Sequence, residues 1–198
     1  MTKAEYEKAL EKLFDRIIYC DNNLMTFVRF TELFNGEVKY RRVFNRTKNF
    51  FVMVVHNMSA ELITELSRLY DKHSFGIEKV INIFEQNQDW FTYTNEFEHI
   101  LSVIKTSYND MAASIIKLKS IRDSNLAHVD KKYIFNSNEI YEGFTWGDVE
   151  RLVATAFEIC NHISCALSDK YYLNDMSVVR DIDTLVELAR VGITNDIK

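Results

Sequence analysis

Residues 2–34, TKAEYEKALEKLFDRIIYCDNNLMTFVRFTELF, decide the fold class. Thr2 with Glu5 three residues on is a capping box, which starts a helix by satisfying two backbone N–H groups reciprocally. Beyond it Tyr6, Leu10, Leu13, Ile17 and Leu24 recur at helical spacing on one side. The pattern runs to Phe34, with Asp21-Asn22-Asn23 as the place where it could break and Gly36 as a C-terminal cap. Around this helix the chain contains no proline and five glycines in 198 residues. Nothing stops long helices, so an all-α fold is predicted.

Further along, a second long helix is predicted from about Lys39 to Tyr70. Its middle, Phe50-Phe-Val-Met-Val-Val55, is apolar all round and should be central and buried. Asp71 to Gly76 reads as a turn, Ile77 to Phe84 as a short helix, and Gln86 to Thr94 as a loop carrying Trp90, Phe91 and Tyr93. A third long segment spans Thr94 or Asn95 to Ala127, with an interruption placed around Ser107-Tyr-Asn109. Residues 131–145 change character and resemble a hairpin or extended excursion. Thr145 with Asp148 is another capping box, opening a helix to about Leu167. A last amphipathic helix covers Ser177 to Arg190, with Gly192 as its cap. The sum is one helical-bundle domain, 1–198: four long helices, shorter helices, and a small extended excursion near 131–145.

Composition narrows the class. Apolar residues make up 47% and charged residues 27%, as in ordinary globular proteins. The longest strongly apolar run is too short to cross a bilayer, and the N-terminus lacks the apolar core of a signal peptide. Cys20, Cys160 and Cys165 form an odd set without disulfide-framework spacing, which suits a reducing cytoplasm. The net charge is −5, unevenly spread. Residues 37–56 sum to +4 and 105–132 to +3, against −5 for 57–104 and −6 for 133–198. Two basic stretches in an acidic protein attract a polyanion if they meet in space; otherwise they are solvated helix faces.

The chemistry sits in residues 118–133, LKSIRDSNLAHVDKKY. Arg122 supplies a permanent cation that can grip a phosphate, and His128 a group that can move a proton near neutral pH. Spacing alone decides little, because Arg68 and His73, with four residues between them, stand at a similar spacing; Glu65 and Asp71 are natural surface partners for Arg68, and His73 falls in a turn. Position says more. Met111, Ala112, Ile115, Ile116, Leu118 and Leu126 form one apolar sector with Arg122 in its middle. A guanidinium there must be paired, reach a cavity or lie at an interface. On an unbroken helix Arg122 and His128 point about 120° apart and stand about 9 Å apart along the axis. They serve one phosphate only if the helix ends near Asn125 or a second copy completes the site.

Other candidates are weaker. Cys160, His162 and Cys165 do not converge as metal ligands, since the cysteines lie about 140° apart on a helix. Glu96, Glu98 and His99 read as a solvated helix face, His56 as a partnered core histidine. The Trp90–Tyr93 cluster could stack bases but more simply packs against the bundle. No glycine-rich phosphate loop and no HExxH occurs.

Arg122-Asp-Ser-Asn-Leu-Ala-His128 resembles the Arg-polar-x(3–5)-His motif of HEPN domains (higher eukaryotes and prokaryotes nucleotide-binding). Residues 118–133, and Leu69-Tyr-Asp-Lys72 before its Ser/Gly turn, are most similar to the abortive-infection-associated, AbiU-like branch. The resemblance covers roughly residues 45–170. It implies a four-helix-bundle core over about 38–170 with extra helices at both ends, and a homodimer with the two motifs facing each other. It also implies a metal-independent endoribonuclease of phage defence or a toxin–antitoxin system, needing no cofactor. Carried onto this chain, Arg122 would stabilise the charge developing on the scissile phosphate. His128 would be general base or acid, Asp123 and Asn125 would support them, and the product would be a 2′,3′-cyclic phosphate. Lys119, Lys131 and Lys132, with Arg42 and Arg46, would hold RNA by its backbone. The alternative is a non-catalytic HEPN-like binding module: a dimeric regulator, an antitoxin's partner or a nucleotide-binding domain. The acidic balance favours it. Either way the protein is expected in the cytoplasm, with RNA, its own copy, and an antitoxin or regulatory protein as partners, and no membrane.

Overall fold

The computed structural model describes residues 1–36, 38–91, 96–125, 139–141, 143–175 and 177–195. It is all-α, with one short β-ribbon among the described residues. Helix α1 (Lys3–Gly36) opens on the expected box: the Thr2 N–H donates to Glu5 Oε2 at 2.7 Å, and the Glu5 N–H to Thr2 Oγ1 at 3.3 Å. Its buried stripe runs through Tyr6, Leu10, Leu13, Ile17, Cys20, Leu24 and Phe27. That stripe continues across Asp21–Asn23, so the expected break does not occur: burial on both sides outweighs the weak propensity of three polar residues.

The predicted second helix is divided. A 3-10 turn (Val38–Tyr40) leads into α2 (Arg41–Arg46), and α3 (Lys48–Leu69) follows after Thr47. The Thr47 hydroxyl donates to the Val43 carbonyl at 2.7 Å, as does its N–H at 3.1 Å. This back-bonding competes with continuation of the helix. Nor is the apolar run buried all round. Phe51 and Val55 turn inward, against Phe30 and Phe44, while Phe50 and Met53 are 55% and 53% exposed.

The turn at 71–76 is tied by an Asx bond from the His73 N–H to Asp71 Oδ1 and by the Ser74 hydroxyl on the Arg68 carbonyl. α4 (Ile77–Gln86), a 3-10 turn (Gln88–Trp90), α5 (Phe97–Asp110) and α6 (Ala112–Asn125) follow. The interruption of the third long segment falls at Met111, not at Ser107–Asn109. A ribbon of β1 (Glu139–Tyr141) and β2 (Phe144–Thr145) bears out the extended excursion at its C-terminal end; residues 131–138 lie outside the described set. Thr145 and Asp148 form the expected capping box of α7 (Trp146–Ser168), and α8 (Ser177–Asn195) runs through Gly192, which therefore is not a cap.

α1 packs against α3, α7 and α8, and α7 also against α5. Two apolar clusters result, with Trp146 at their junction, stacked on Phe27 at 3.9 Å. Buried hydroxyls pin the layers: Tyr6 donates to the Val80 carbonyl at 2.9 Å, Tyr70 to that of Leu152 at 2.6 Å. Burial pushes both phenols well above their ordinary pKa, and the Cys20 thiol up to about 12. His56 is half-buried, not a core residue. Among the described residues no helix is long and apolar enough to cross a membrane.

Two glycines give opposite predictions. A Cβ at Gly76 would collide with the Leu69 carbonyl oxygen, whereas one at Gly192 would meet nothing within 4 Å. Gly76→Ala should cost about 2 kcal/mol through overpacking, and Gly192→Ala, inside α8, should add about 0.5–1 kcal/mol. Urea unfolding of the two variants beside wild type checks both signs.

Candidate active site

Arg122 lies in the last described turn of α6, above a face on which Ile115, Leu118 and Ile121 are buried. Ile116 is 69% exposed and Ala112 is also exposed, so the apolar sector is narrower than the sequence suggests and Arg122 stands at its edge. There the guanidinium donates to Asp71 Oδ2 at 3.3 Å, with the two side chains 30% and 25% exposed. The turn after α3 and the end of α6 are thereby joined: Leu69-Tyr-Asp-Lys72 and the Arg122 segment, 51 residues apart in sequence, meet.

Asp71 serves both sides of this junction. Its carboxyl is held below the usual carboxylate range, first by the His73 N–H and then by Arg122. A carboxylate tied to its own turn is a fixed anchor, and a planar guanidinium paired to it keeps a set direction while solvent still reaches it. That is the condition for gripping a phosphate at a helix end.

The other expected site residues divide into three groups. Lys119, half-buried one turn before Arg122, shares its neighbourhood. Asp123 and Asn125 continue α6, while His128, Lys131 and Lys132 lie outside the described residues. Arg42 and Arg46 are exposed on α2, at the start of α3, whereas Arg122 is paired just beyond its end. The 22 residues of α3 separate them by about 30 Å. Among the described residues, then, the basic corner of α2 and the Arg122 end of α6 do not meet within one chain.

Sequence reasoning offered both Glu65 and Asp71 to Arg68; in the structure Arg68 does pair with Glu65, but Asp71 pairs with Arg122. The available signal was the Asx-turn pattern Asp71-Lys-His-Ser, which marks a carboxylate fixed by its own backbone. The weaker candidates behave as packing and surface groups. Cys160 is fully buried, and His162 is half-buried with Glu158 at 4.0 Å. Glu96, Glu98 and His99 are exposed, and Trp90 packs on Tyr6 and Phe91 on Phe84. Among the described residues no group of three or more His, Cys, Asp and Glu could hold a metal.

Asp71→Asn keeps an acceptor for His73 but removes the charge facing Arg122. Because the native pKa is depressed, the stabilisation is present above the unfolded pKa of about 4 and lost as pH falls through the native value. Wild type should exceed Asp71→Asn in denaturant midpoint at neutral pH, and the gap should close in acid; a constant gap would contradict the assignment.

One comparison bears on this site: the family model described as AbiU2, of the HEPN domains, matches residues 3–185. No curated protein and no solved structure matches the chain.

Proposed function

Since the chain belongs to the AbiU2 family of HEPN domains and so is an abortive-infection-related module, we propose that it is a metal-independent endoribonuclease acting as a homodimer in phage defence or as a toxin. The observation that carries this reading is Arg122, partly exposed at the end of α6 and oriented by Asp71. In the proposed reaction Arg122 stabilises the negative charge gathering on the phosphate as the 2′-hydroxyl attacks. His128 takes the proton from that hydroxyl or returns one to the departing 5′-oxygen, leaving a 2′,3′-cyclic phosphate. Asp123 and Asn125 support the pair, and Lys119, Lys131 and Lys132 hold the strand by its phosphates. Arg42 and Arg46 would meet the same RNA only where it runs the length of α3. A dimer answers the angular problem of Arg122 and His128, since the second copy can bring a histidine to the first copy's arginine.

Two observations favour the second reading. Arg122 already faces a carboxylate, and the chain carries −5 overall. A non-catalytic HEPN module would use the Asp71–Arg122 pair to hold two turns together and bind a nucleotide or protein regulator.

RNA cleavage in the presence of a chelator separates the two. The wild-type protein should cut RNA to 2′,3′-cyclic-phosphate ends in EDTA, and Arg122→Ala should lower the rate by about 10²–10³-fold or more. His128→Ala should be comparably inactive. Full activity in both variants, or activity only with added metal, would sink the ribonuclease reading.

A further inference from the structure

Away from Arg122, a groove of about 850 Å³ runs between α1 and α7, closed at one side by Tyr171 and Val179. The two helices are antiparallel, since Phe27 meets Trp146 and Phe14 meets Phe157. Its floor is apolar, with Leu24, Val28, Val153 and Phe157, and Val28 is 42% exposed. Its rim is acidic: Asp21 and Glu32 come from α1, Glu150 and Glu158 from α7. The cation that lines it, Arg29, is bound to Asp183 at 2.6 Å and to Glu32 at 3.0 Å. The wall from Asp21 to Glu32 spans about 17 Å.

The opposite chemistry occurs at the α2–α3 corner. Phe50 and Met53, one turn apart on α3, are more than half exposed, and Arg41, Arg42, Arg46 and Lys48 around them are all exposed. Residues 38–56 contain no carboxylate. This ridge, Lys48 to Asn57, is about 14 Å long, close to the length of the groove. A nucleic-acid surface has little use for exposed Phe and Met among its cations unless bases stack there; a protein groove with an apolar floor and an acidic rim satisfies both features.

We infer that the groove is the docking site for the α2–α3 ridge of a second copy of this chain. Phe50 and Met53 enter the apolar floor, and the arginines and Lys48 face the rim carboxylates. Each contact joins unlike surfaces, formed once per pair in a head-to-tail array or twice about a twofold axis, the ridge of each copy in the groove of the other. A twofold pairing of like surfaces would set cations against cations or carboxylates against carboxylates. The inference does not depend on ribonuclease activity.

Sedimentation velocity of the full chain over a concentration series tests it. Wild type should form a larger species that dissociates at high salt, where rim and ridge charges are screened. Phe50→Glu on the ridge, and Val28→Lys or Glu150→Lys on the groove, should each lose that species. All three positions are exposed, and circular dichroism confirms that each variant keeps its helix content. Mixing Phe50→Glu with either groove variant should restore larger species, because one intact ridge and one intact groove remain. Failure of both mixtures, or a wild type that sediments like the variants at every concentration and salt, overturns the proposal. So does a result in which Phe50→Glu and Arg46→Glu weaken binding of a labelled RNA strand without changing sedimentation: the corner is then a nucleic-acid surface.

Discussion

The rest of the molecule is arranged around the buried stripe of α1. Over 34 residues it supplies an apolar side chain at almost every turn, from Tyr6 at the Val80 carbonyl to Leu33 beside the α2–α3 corner. In a folded protein most of a helix's stability comes from packing of its apolar face rather than from propensity, and in α1 that face is this stripe. Because the stripe is continuous, α3 and α7 pack along it as antiparallel neighbours, and α8 closes one end through Arg29 and Asp183. The levels at which α3 and α7 cross α1 then fix where Tyr70 reaches the Leu152 carbonyl, and where the turn after α3 lies against α6.

The Asp71–Arg122 contact is a consequence of that arrangement. Partly exposed ion pairs contribute little to stability, so its interest is positional. The turn at 71–76 is tied to itself by Asx and hydroxyl bonds and backed by Gly76, which fits tightly against Leu69. A carboxylate on such a rigid turn sets the direction of a guanidinium on a neighbouring helix, and a phosphate-binding arginine needs that kind of support. The basic corner at Arg42 and Arg46 lies a helix length away, with Phe50 and Met53 exposed beside it.

Much of the fold was legible locally. Both capping boxes, Thr2 with Glu5 and Thr145 with Asp148, depend on residues three apart whose partners are their own backbone, so no tertiary information is needed. Among the candidate residues, Arg122 was legible as a cation beside the apolar face of its helix. Its partner was not. Asp71 lies next to Lys72 and three residues from Arg68, and nothing local says that it turns instead to Arg122, 51 residues away. Likewise Met111 carries no helix-breaking signature; α5 and α6 part there as they turn to different neighbours, α5 to α4 and α7, α6 to α3 and the β-ribbon.

By itself, then, the sequence determined the helical class, the starts of the capped helices, the turn at 71–76 and the segment bearing the candidate chemistry, all of which follow from side chains acting on nearby backbone. Only the tertiary structure decided which apolar residues are covered, where the long helices divide, and that Asp71 stands at Arg122. Those outcomes depend on how α1, α3, α6 and α7 cross, and a crossing is settled by the packing of many side chains at once. The exposure of Phe50 beside the burial of Phe51 is the plainest case: the two residues are alike in sequence, and only the position of α1 distinguishes them.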